Sequence, residues 1–93
     1  MRLRAVCLRV RGRVQGVGYR AWAMQTAARL GVRGWVRNRA DGSVEALVIG
    51  AEPAVAAMIE ACRQGPRAAI VANVAIDGAE DDGSTAFTAR PTA

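Results

Sequence analysis

The chain has 93 residues, 52% of them apolar, and a formal net charge of +5; this is enough for a single domain, residues 1–93, to bury a core without staples. It contains no His and only two widely separated cysteines, Cys7 and Cys62, which argues against a zinc site. No apolar run reaches the roughly 20 residues that span a bilayer, and the opening Met-Arg-Leu-Arg lacks a signal peptide's apolar core, so a cytoplasmic chain with no membrane partner and reduced thiols is expected.

Residues 3–11 alternate, with Val6, Leu8 and Val10 on one side and Ala5, Cys7, Arg9 and Arg11 on the other, the pattern of a strand with one face on a core. Gly12 to Gly18 holds three glycines in seven residues and reads as a loop. From Tyr19 or Arg20 to Leu30 the chain is Ala-rich and helical, with Gly31 as its terminator. Residues 32–38 read as a second strand, Ala40-Asp41-Gly42 as a hairpin turn, and 43–49 as a third strand closed by Gly50. Pro53 suits the first turn of a helix that runs to about Arg63, ahead of Gly65-Pro66. On that helix Val55, Met58, Ile59 and Cys62 make one buried stripe. Residues 68–77 are β-prone, 77–83 form an acidic turn, and 84–90 supply a possible extra strand at an edge.

The order β-α-β-β-α-β predicts an α+β, ferredoxin-like sandwich: an antiparallel sheet, both helices on one face, the first strand central and the opposite face largely open.

The charge pattern points to an anion. All 13 basic residues are Arg; residues 1–39 carry ten of them and no acid, whereas all eight acids lie in residues 40–93. Such a split suits an anionic ligand handled by the N-terminal half, although most of these arginines read more readily as a solvated face. The stretch from Gly12 to Arg20 is a strand end, a glycine-rich loop and a helix start. Its N–H groups can converge on an anion, the helix start adds partial positive charge, and Arg20 offers a fork matched to phosphate oxygens. Side chains at Gly16 and Gly18 would block that approach. The same stretch also reads as a plain structural connection. Asn38 ends the second strand; it either begins the turn or, if its strand pairs alongside the first, orients a water near Arg20.

Two motifs bring a resemblance. Val10-x-Gly12-x-Val14-Gln15-Gly16-Val17-Gly18-Tyr19-Arg20 resembles the first signature of the acylphosphatase family, and Gly34-Trp35-Val36-Arg37-Asn38-x3-Gly42-x-Val44-x5-Gly50 resembles its second. Gly65-Pro66 is also family-like, and the likeness covers about residues 3 to 90. Tyr19 stands where Phe or Met is usual, and the C-terminal Ala89-Arg90-Pro91-Thr92-Ala93 lacks the aromatic ending of some members. The resemblance implies hydrolysis of acyl phosphates, with Arg20 binding phosphate, the main-chain amides of Gln15, Gly16, Val17, Gly18, Tyr19 and Arg20 completing a cradle, and Asn38 orienting the attacking water. It implies no metal, nucleotide or phosphoenzyme. A small acyl phosphate is the expected partner, with inorganic phosphate or sulfate as an anion ligand. A monomer is the simplest expectation, and nothing in the sequence marks a pocket for the acyl half, so broad tolerance there is expected.

The chemistry is consistent with that set. A carboxylate leaves readily, and phosphoryl transfer depends on positioning and on stabilising charge on the equatorial oxygens, both of which a chain without His can supply. Rival readings carry less. Cys7-x5-Arg13 matches a Cys-dependent phosphatase pattern, but Cys7 falls mid-strand rather than in an anion loop. A small basic ferredoxin-like nucleic-acid-binding module without catalysis shares the element order, but strands one and three lack the stacking aromatics. An inactive or carbamoyl-phosphate-handling accessory domain fits poorly with a free-standing length and intact Arg20 and Asn38.

Overall fold

In the computed structural model, which describes residues 2–93, the elements are β1 (Leu3–Arg13), α1 (Tyr19–Leu30), β2 (Arg33–Asn38), β3 (Val44–Ala51), α2 (Glu52–Gln64), β4 (Ile70–Gly78) and β5 (Phe87–Arg90). The alternation read in β1 is the burial pattern: Val6, Leu8 and Val10 are buried. They meet Val44, Ala46 and Val48 from β3, Ala23 and Ala27 from α1, and the α2 stripe Val55, Met58, Ile59 and Cys62 in one apolar core. Both helices therefore cover one face of the sheet. Helix α2 carries Pro in its first turn and ends at Gly65, as expected of a residue whose missing N–H costs nothing there.

Strand order is β4-β1-β3-β2-β5, with β1 interior as the sequence implies. Three differences from the sequence reading matter. Strand β1 runs on through Arg13, because a register shift between Arg11 and Gly12 lets it keep pairing with β4; a bulge of this kind bends a strand without ending it. Strand β2 does not pair with β1: β3 lies between them. The sheet is mixed rather than wholly antiparallel, since β5 pairs parallel with β2. The cause is topological. Strands β4 and β5 occupy opposite edges, so the connection 79–86 crosses the sheet at one end, reverses the chain and delivers β5 running with β2.

That connection also closes part of the face expected to be open. Ala79 N–H donates to the Ala5 carbonyl at 3.1 Å, Gly34 N–H to Ala86 at 3.0 Å, and Arg33 binds the Asp81 carboxylate and the Ser84 carbonyl. Ile49, on the far face between Ala5 and Arg33, is only 1% exposed. Elsewhere on that face Arg37, Arg9 and Arg39 converge on Glu45 at 2.8, 3.5 and 3.5 Å. Burial alone would raise the Glu45 carboxyl, but the Arg37 hydrogen bond and the three arginine charges outweigh it and hold the group below the ordinary range.

Candidate active site at the start of helix α1

The chain between β1 and α1 passes through Gly16 at φ 72° and Gly18 at φ 78°. Left-handed backbone costs an L-residue roughly 1–2 kcal/mol, so conformation is what requires glycine here. Crowding within the protein does not, because a Cβ built at either position would meet no atom within 4 Å. The space above both glycines is a cleft of about 470 Å³ whose lining includes Gln15, Gly16, Gly18, Tyr19, Arg20 and Asn38.

Gly18 is also the N-cap of α1, which has neither a side-chain cap nor an acid in its first turn. The first intrahelical bond runs from Trp22 N–H to the Gly18 carbonyl at 3.0 Å, leaving the N–H groups just before Trp22 without helical acceptors. Positive partial charge at this end is therefore unopposed. Among the described residues, no carboxylate lies within ion-pair distance of Arg20; its Nη1 instead donates to the Arg90 carbonyl at 3.3 Å. An anion in the cleft would face a guanidinium and several N–H donors with no competing acid.

Asn38 reaches the cleft by register. It lies in one row with Val44 and Val10, both buried beneath the helices, so it shares the helix-bearing face. Strands β1 and β2 run parallel with β3 between them, and their C-terminal ends meet at the same end of the sheet. The pairing premise was wrong, yet Asn38 still lines the same cleft as Arg20.

The loop residues divide by role. The Gln15 amide donates to the Arg39 and Ser43 carbonyls at 2.8 and 2.9 Å, clamping the loop to the β2–β3 hairpin. Val17 does not line the cleft but packs against the core. Tyr19 turns inward, its hydroxyl donating to the Cys62 carbonyl at 2.7 Å and its ring meeting Trp22 edge-on at 5.2 Å; burial pushes the phenol upward, so it stays protonated. Only main-chain groups of Tyr19 can serve an anion. Sequence reasoning missed the Gln15 clamp, and it missed Met24 and Ala89, which also line the cleft. Met24 was accessible to it, being one helical turn beyond Arg20. The C-terminal segment, aromatic or not, reaches the site through its main chain: Ala93 N–H donates to the Asn38 carbonyl and Ala40 N–H to that of Ala93, each at 3.1 Å.

The sequence profile of the acylphosphatase family matches residues 6–89. The chain belongs to this family. It is 62% identical over 73 residues to an acylphosphatase of Rhodopseudomonas palustris (strain BisB5), covering 78% of this chain and 74% of that protein. It is 46% identical over 90 residues to one from Rhodospirillum rubrum, covering 97% and 99%. The acylphosphatase structure from Bacillus subtilis superposes with a TM-score of 0.90 at 33% identity, over 96% of this chain and 99% of that one. The cleft thus belongs to an acylphosphatase fold. The thiol and nucleic-acid readings find no foothold in it. Cys7 lies on the far face with its Sγ 3.8 Å from Glu45, where burial and that carboxylate raise its thiol rather than activate it. Trp35, the aromatic of β2 on that same face, already carries the guanidinium groups of Arg37 and Arg90 over its ring at 4.9 and 4.6 Å, so a base would have to compete with two cations for it.

Proposed function

We propose that this acylphosphatase hydrolyses acyl phosphates with Arg20 and the N–H groups of residues 15–20 holding the phosphoryl group and Asn38 directing the water. Water attacks phosphorus, the bond from phosphorus to the carboxylate oxygen breaks, the carboxylate leaves with the electron pair, and the water proton passes to solvent or product phosphate. The charge that spreads over the equatorial oxygens is met by donors already in place, which is where such sites gain most. A leaving carboxylate needs little protonation, consistent with a cleft that offers no titrating acid.

The observation that carries the reading is the grouping of Arg20, the two left-handed glycines and Asn38 around one cleft. Inorganic phosphate or sulfate is expected to bind over Gly16 to Arg20. A monomer is the simplest state for this assignment, because none of its groups calls for a second copy of the chain. The thiols of Cys7 and Cys62 are free, which fits a cytoplasmic location; no helix among the described residues is long and apolar enough to cross a membrane. The deciding measurement is turnover of benzoyl phosphate in EDTA. Inertness, or activity only after added magnesium or zinc, would defeat the assignment.

A further inference from the structure

A second groove, of about 390 Å³, continues from the phosphate cleft between α1 and β5. Arg20, Met24 and Ala28 succeed one another at i, i+4 and i+8, so they line up along one side of α1. Ala89 and Phe87 alternate onto a common face of β5. Arg20 and Ala89 belong to the cleft, Ala28 and Phe87 to the groove, and Met24 to both. Met24 is 37% exposed, a large apolar side chain at the junction of the two spaces. The charged residue in the groove wall, Arg33, is held by Asp81 and by the Ser84 carbonyl, so the groove carries no free charge and its lining is more apolar than polar.

Resting on the phosphate assignment above, we propose that this groove receives the acyl group, and that the favoured substrates carry an apolar acyl chain or ring. In a mixed anhydride the acyl carbon is separated from phosphorus by a single bridging oxygen, so the acyl group must lie against whatever surface adjoins the phosphate cleft. The wall from Arg20 to Ala28 runs roughly 12 Å along the helix axis, room for a medium-length chain. Broad tolerance, expected when no acyl pocket was evident in the sequence, gives way to a graded preference.

The test is kcat/KM for acetyl, butyryl and hexanoyl phosphate on the full chain, alone and with Ala28→Glu or Thr85→Glu, two exposed positions on opposite walls of the groove. Each methylene that reaches the groove should raise kcat/KM by roughly two- to fourfold, and a carboxylate on either wall should flatten that rise. Hydrolysis of acetyl phosphate with a flat series in the unmodified chain would overturn the groove assignment while leaving the phosphate site standing, and so would a full rise retained in both folded variants. Failure to hydrolyse any of the three would overturn the phosphate assignment and this proposal together.

Discussion

Arg20 Nη1 donates to the carbonyl of Arg90, 70 residues away, at 3.3 Å. The guanidinium proposed to hold phosphate is thus steadied by a neutral acceptor on the last strand and keeps its full charge for the ligand. An acid in that place would have opposed every anion entering the cleft.

Replacing this charge should therefore damage catalysis far more than folding. Arg20→Gln is expected to lower kcat for benzoyl phosphate by about 10²–10³-fold, the scale of removing a preorganised oxyanion donor, while its urea midpoint changes little. Asn38→Ala should lose turnover by a similar factor if the amide positions water. Steady-state kinetics beside urea denaturation separates the two effects, and undiminished turnover in either variant would remove that residue from the mechanism.

Gln15 offers a different signature. Its amide joins the loop before α1 to the hairpin that ends β2, so Gln15→Leu removes two hydrogen bonds, while the Arg39 and Ser43 carbonyls keep the Gly42 and Arg39 N–H donors. A loss of about 1–3 kcal/mol in stability is expected, together with weaker phosphate binding by a loosened loop. Urea unfolding with and without saturating phosphate measures both.

Asp81 should control acid stability. Its bond from Arg33, aided by the Gly83 N–H, lowers its carboxyl from 3.8 to about 2. Between those values the unfolded chain takes up a proton that the folded chain does not, so the contribution is whole above pH 3.8 and fades as pH falls through about 2. Melting curves should show the unmodified chain more stable than Asp81→Asn near neutrality, with the gap closing across that acid window. A gap that widens on acidification would contradict the ion pair's role.

Cys7→Ser is expected to keep turnover within about twofold, and iodoacetamide should leave activity intact. The thiol lies on the face of the sheet away from the cleft, and its surroundings disfavour the thiolate that either chemistry needs. Inactivation by alkylation at Cys7 would reopen the thiol mechanism.

How far the sequence could be read depended on the range of each interaction. Alternation in β1 and the i, i+3, i+4, i+7 stripe of α2 gave the buried faces correctly, since both periods are local. Gly16, Gly18, Arg20 and Asn38 drew attention as a glycine-rich turn, a helix start and a strand end, but those positions read equally as plain structure, and it was the resemblance of the two motifs that made them site candidates. Partners distant in the chain were not legible. Nothing near Asn38 shows that β3 separates β2 from β1, nothing in 79–86 shows a crossing that turns β5 parallel, and nothing near Gln15 shows that its amide reaches a hairpin 24 residues on. The α1–β5 groove depends on that crossing and was invisible for the same reason.

The stacking of Arg90 on Trp35 gives the enzyme an optical handle. When β5 is in place one guanidinium lies over the indole at 4.6 Å and another at 4.9 Å; if the final strand peels away, the nearer of the two goes with it. Fluorescence of Trp35, read in a Trp22→Phe background, therefore follows attachment of the same strand whose backbone steadies Arg20, and can be timed against the return of activity during refolding.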